Sequence, residues 1–152
     1  MKARSPQISL RLDAAPPVER WHDGARLAFL GSELVLALAT DRKSAMREGQ
    51  VLHLPLPPAA SPRQIQDGVE SWLRQEAALI IDAAIMRQSN ANIRWALSFA
   101  AKGGWAHVHA DGSLRFNWRL IEQAAPVIEA VVGRAISSLP QPGVTNDLWA
   151  LA

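Results

Sequence analysis

A chain of 152 residues that is 49% hydrophobic and 20% charged is long enough to bury a real core and reads as one globular domain. It has no cysteine, which excludes disulfides, thiolate metal sites and cysteine nucleophiles. The net charge is only +2, and with no cysteine or tyrosine almost nothing titrates between histidine and lysine, so a small basic excess is enough to give the pI of 9.7. The basic residues are scattered, with no run of five, which argues against a nucleic-acid surface. The start, MKARSPQISLRLD, has no apolar run of the signal-peptide kind. Leu27 to Ala39 is too short for a membrane span and is interrupted by Gly31 and Glu33. A cytoplasmic protein without a membrane partner is expected.

In chain order, residues 1–20 form a polar, proline-containing extension in which Ile8 to Leu12 alternates like an edge strand. Residues 21–152 are expected to form the single domain. Two strands, Arg26–Phe29 and Leu34–Ala39, meet at Leu30-Gly31-Ser32. The second is apolar on both faces, as a strand covered on both sides would be. Asp41 to Gly49 reads as a charged turn and Val51–Leu56 as a third strand, ended by Pro55, Pro57 and Pro58. Ser61-Pro62 opens the longest helix, with Ile65, Val69, Trp72, Leu73 and Ala77 as its apolar stripe. From Ala77 to Met86 it is apolar almost all round, which predicts burial between layers. Ser89, Asn90 and Asn92 close it, and Ile93–Phe99 returns as a strand.

Asp111-Gly112 then marks a two-residue hairpin turn. Before it, Ala106 and Val108 oppose Trp105, His107 and His109; after it, Leu114, Phe116 and Trp118 oppose Ser113, Arg115 and Asn117. Pro126 suits a first helical turn, and Val127, Ile128, Val131, Val132, Ala135 and Ile136 follow at helical spacing, predicting a helix over Ala124–Leu139. Strands, long helix, strands, helix is an α+β order.

The segment from Trp105 through Gly112 to Leu114-Arg115-Phe116-Asn117-Trp118-Arg119-Leu120, followed by a helix containing Val131-Val132, resembles the YgjP-like metallopeptidases of the WLM/SprT-like group of zinc-dependent hydrolases. The opening hairpin with its Leu30-Gly31 turn, the helix around Trp72 and the tail Trp149-Ala150-Leu151 resemble the same family. The resemblance implies a minimal gluzincin-type, zincin-like α+β domain with a small, mostly antiparallel sheet, a long helix and an active-site helix. It also implies a zinc site carried by an H-E-x-x-H signature directly after the Val-Val pair. On that register the two helical ligand positions are Gly133 and Ser137 and the glutamate position is Arg134; the third ligand falls near Val144. Glycine and valine offer no ligand atom, serine is a poor zinc ligand beside imidazole, and arginine cannot accept a proton. The zinc cofactor is therefore predicted lost, and the chain reads as a pseudo-metallopeptidase with a binding or regulatory role.

Two further readings concern the hairpin. By resemblance to zincins, Leu114, Phe116, Asn117 and Trp118 are the strand that would pair with an extended peptide beside the cleft. His107 and His109 share a strand face with Asp111 next in register, a set chemically able to hold a transition metal, so a hydrolase with a relocated site is the competing reading. A nucleic-acid-associated SprT-like module is a third. Arg134, with Arg115 or Arg119, would make the vacated cleft an anion site. Trp72, Trp105 and Trp118 are expected in the core. The physiological partner, the ligand and the oligomeric state are not encoded in any motif here.

Overall fold

A computed structural model describes residues 20–140. The extension expected at residues 1–20, apart from residue 20, and the third ligand position near Val144 lie outside the described residues. Those described form two compact units, one from residues 20–27 and 33–72, the other from residues 28–32 and 73–140. The α+β class holds. In place of one small sheet there are two, and in each a parallel pair stands beside an antiparallel one.

The first sheet contains β1 (Arg26–Phe29), β2 (Ser32–Leu38), β3 (Met46–Glu48) and β4 (Val51–Leu54), in the order β1-β2-β4-β3. β2 and β4 run parallel, with Leu36 opposite Leu52 and Leu38 opposite Leu54. Period-two alternation buries Leu34, Leu36, Leu38, Leu52 and Leu54, while Val35 and Ala37 are only half-buried. The charged stretch expected as a turn contains β3, antiparallel to β4. All three of its residues are exposed, and Glu48 meets Arg42 and His53. A short charged strand suits a sheet edge, because its charges discourage pairing with a further chain.

The long helix, α1 (Pro62–Gln88), starts with a reciprocal cap. Gln64 N–H donates to the Ser61 hydroxyl at 3.2 Å, and Ser61 N–H donates to the Gln64 side-chain oxygen at 2.9 Å. In the first unit its residues Ile65, Val69 and Trp72 are buried, and Gly68 leaves room for Leu54. In the second unit Leu73, Ala77, Ile81, Ala84 and Ile85 continue the stripe. The all-round burial expected over Ala77 to Met86 does not occur: Leu79 and Met86 are 66% and 69% exposed. A 3.6-residue period lets one helix face reach the core, and extra apolar residues fall on the other.

The second sheet holds β5 (Trp95–Ser98), β6 (Ala106–Val108) and β7 (Leu114–Asn117), in the order β5-β7-β6. β7 is parallel to β5 and antiparallel to β6. The hairpin loop is one residue longer than expected. Gly112 N–H donates to His109 C=O and His109 N–H donates to Ser113 C=O, which leaves Ala110, Asp111 and Gly112 as a three-residue loop with Gly112 at φ +86°. The pairing becomes Val108 opposite Leu114 and His107 opposite Arg115.

Asn117 ends β7 and caps the 3₁₀ turn Trp118–Glu122: its side-chain oxygen accepts from Arg119 N–H at 2.9 Å, and its amide donates to Ala100 C=O at 3.0 Å. The last helix, α2 (Ala125–Ser137), has Pro126 in its first turn and buries Ile128, Val132 and Ala135. The hairpin tip of β1 and β2 belongs to this unit. Leu30 and Gly31 both have positive φ, and their N–H groups donate to the carbonyls of Ile121 and Glu122.

Candidate functional site

Two neighbours of α2 divide its surface. On one side stands the end of α1, where Arg87 pairs with Glu129 and the Gln88 amide donates to the Glu129 carbonyl and carboxylate. One turn further along, the Gln88 side-chain oxygen lies 2.6 Å from where a Cβ on Gly133 would be. Gly133 thus looks toward α1.

On another side runs β6. Between it and α2 opens a cleft of about 260 Å³ lined by Trp105, Ala106, Val108, Val131, Arg134, Ala135 and Ser138. Arg134 and Ser138 are four apart and so stand one above the other on the helix, and Ala135 follows Arg134. Gly133 and Ser137, the ligand positions expected from the sequence, are not among the lining residues. The residues four apart that line this cleft are Arg134 and Ser138. A shift of one residue turns a helix by about 100°, enough to carry a ligand pair off the cleft.

A zincin site needs two imidazoles on one helix face and a carboxylate beside the first. Arginine, alanine and serine at the cleft-lining positions do not fit zinc. Arg134 is cationic at any working pH, Ala135 has no functional group, and the Ser138 hydroxyl donates to the Arg134 carbonyl at 2.9 Å.

The strand expected to receive a peptide is placed differently. Leu114, Phe116 and Asn117 lie on β7, which is the middle strand with β5 on one side and β6 on the other. Both its hydrogen-bonding edges are occupied, so it cannot add a further strand. Trp118 has left the sheet for the 3₁₀ turn and is buried, with the guanidinium groups of Arg74 and Arg119 at 5.3 and 4.8 Å from its ring. Among the described residues, the open edge beside the cleft belongs to β6. Flanking that strand, the Trp105 C=O accepts from Asn117 N–H and His109 N–H donates to Ser113 C=O, so alternation turns the N–H and C=O of Ala106 and Val108 outward.

His107, His109 and Asp111 do not gather. Among the described residues no three histidine, cysteine, aspartate or glutamate side chains stand close enough to hold a metal ion. Asp111 is occupied by the turn, accepting from Ser113 N–H at 3.0 Å and its hydroxyl at 2.7 Å, with Arg94 at 3.6 Å. The two Ser113 hydrogen bonds hold its carboxyl below the ordinary range, and the Arg94 charge adds to the effect.

The arginines expected to assist Arg134 are elsewhere. Arg119 pairs with Glu122, and Arg115 stands on β7 opposite His107, away from the cleft lining. Among the expected core tryptophans, Trp72 and Trp118 are buried, whereas Trp105 is 39% exposed at the cleft mouth. What the sequence reading missed was the β6 edge; its signal was the strand order, which alternation along one strand does not carry.

Among the described residues, no helix is long and apolar enough to cross a membrane. No curated protein and no solved structure matches the chain. A family match covers residues 4–133, most of its length, under the description YgjP-like, metallopeptidase domain. With that match and an α+β domain whose last helix flanks a cleft beside a strand edge, the chain belongs to the YgjP-like metallopeptidase-domain family.

Proposed function

We propose that this member of the family is a pseudo-metallopeptidase, a binding protein that keeps the cleft and has exchanged its zinc chemistry for a fixed positive charge. The observation that carries the reading is the set Arg134, Ala135 and Ser138 along the cleft. A hydrolytic zinc needs ligands, an open position for water and a base to take that water's proton. Neither Arg134 nor Ala135 can serve as ligand or base, and a lone serine hydroxyl does not replace a pair of imidazoles. A guanidinium lining the cleft would also repel a divalent cation a few ångströms away.

Elemental analysis after dialysis, together with a fluorescent-casein assay in added zinc, tests this reading. The expected result is far less than one equivalent of zinc and no cleavage above a heat-treated control. A tightly held equivalent with chelator-sensitive cleavage would overturn it. Loss of that zinc on changing His107 and His109 to alanine would assign it to the hairpin.

A further inference from the structure

We propose that the cleft between β6 and α2 takes an extended peptide segment that presents a carboxylate to Arg134. This rests on the binding-protein reading above and names its ligand class.

Three features meet at one place. First, β6 offers a short open edge: the N–H and C=O groups of Ala106 and Val108 face away from β7, and among the described residues no strand pairs with them. Unpaired main-chain groups in alternation are what an added strand recognises. With only three residues in β6, the edge can register two or three residues of a ligand, not a long strand.

Second, the cleft carries a cation without a counter-ion among the described residues. Arg87, Arg94 and Arg119 in this unit each meet a carboxylate, of Glu129, Asp111 and Glu122. Arg134 meets none among the described residues, and no acidic side chain lines the cleft with it. A guanidinium presents paired N–H donors that match a carboxylate bidentately.

Third, apart from Ser138 the remaining surface is apolar and small. Val108, Val131, Ala135 and the partly exposed Trp105 would cover an aliphatic side chain. At about 260 Å³ the cleft is below the roughly 300–1,000 Å³ typical of pockets for whole small molecules, which favours the end of a chain or one acidic residue and its neighbour.

The carboxylate has two sources, a chain terminus or an acidic side chain, and three peptides separate them. N-acetyl-Val-Ala-Leu with a free C-terminus, its C-terminal amide, and the amide of N-acetyl-Val-Glu-Leu are titrated into ¹⁵N-labelled full-length protein. Shifts at the Ala106 and Val108 amides and the Arg134 guanidinium are followed. The free acid should move all three, and the plain amide should bind about tenfold more weakly, the usual scale for a lost charge-assisted pair. Arg134→Gln should bring acid and amide within about twofold of each other, and Arg134→Lys should keep part of the difference. Because Arg134 is exposed, these variants should fold normally, which the unchanged spectrum elsewhere would verify. Rescue by the glutamate-containing amide assigns a side-chain carboxylate; its absence assigns a chain terminus. Equal binding of acid and amide with shifts at Ala106 and Val108 would overturn the carboxylate proposal while leaving a peptide-binding cleft. No shift with any of the three would remove the cleft ligand and the binding-protein reading together. Self-association that protects Ala106 and Val108 in the absence of peptide would assign the edge to a second copy and overturn the proposal.

Discussion

Gly31 shows how one residue can depend on both backbone and neighbours. Its φ is +81°, and a Cβ there would lie 2.9 Å from the Ala124 Cβ and 3.0 Å from its Cα. Left-handed backbone costs a residue with a side chain about 1–2 kcal/mol, and the contact is with a helix start that cannot rotate away. Gly31→Ala should therefore cost roughly 2–4 kcal/mol in urea unfolding, with overpacking supplying the rest. A loss below about 1 kcal/mol would mean that the hairpin tip moves freely against Ala124. Asp111 carries a second expectation, concerning acid. Its carboxyl is lowered because Ser113 donates two hydrogen bonds to the ionised form. A lowered folded value means that the stabilisation is full above the ordinary carboxylate range and disappears as pH falls through the folded value. In a carboxyl-carbon NMR titration, Ser113→Ala should move the Asp111 midpoint upward, toward that ordinary range. An unchanged midpoint would assign the lowering to Arg94 instead.

At the scale of elements, α2 tests whether its two flanks are independent. Gly133 within a helix costs about 1 kcal/mol relative to alanine, yet an alanine there would displace the Gln88 side chain, which donates to the Glu129 carbonyl at 2.9 Å and its carboxylate at 3.0 Å. Those exposed bonds are worth about 0.5–1.5 kcal/mol together, so Gly133→Ala alone should be close to neutral. In a Gln88→Ala background the same change should stabilise by about 1 kcal/mol. Equal effects in both backgrounds would show that Gln88 does not constrain the helix.

The helices were largely legible in the sequence, because Ser61, Pro62 and Pro126 mark their starts and the 3.6-residue stripe names their buried faces. β1 was legible to the residue. The sheet order was not: alternation tells which face of β7 is buried and says nothing of which strands flank it. The hairpin register was misjudged by one residue because Asp111-Gly112 suits both a two-residue turn and the last two positions of a three-residue loop. The short β3 was hidden by its exposed charged residues, which look like turn. The cleft lining was not legible for a related reason. A helix periodicity shows that Val131, Val132 and Ala135 are apolar neighbours, but the side facing β6 depends on where Gln88 and the strand stand.

For the molecule as a whole, the family scaffold and the cleft chemistry can be separated by restoring the signature in two registers. In the register drawn from the structure, Arg134→His, Ala135→Glu and Ser138→His put two imidazoles four residues apart on the cleft side, with a carboxylate beside the first. In the register drawn from sequence, Gly133→His, Arg134→Glu and Ser137→His put the first imidazole against Gln88, away from that cleft. Zinc selects ligands that converge, so only the first triple variant should gain a saturable zinc site by competition with a chromogenic chelator. Binding should be weak, since two helical ligands leave the third position to a solvent water, and turnover should stay near background. The buried position of Ala135 predicts a destabilised variant, because a carboxylate there loses hydration, and added zinc should return part of the lost stability. Zinc binding by the second triple variant alone would restore the sequence register and place the cleft elsewhere on α2. Binding by neither would mean that the cleft no longer holds the zincin geometry, so that the scaffold diverged together with its chemistry.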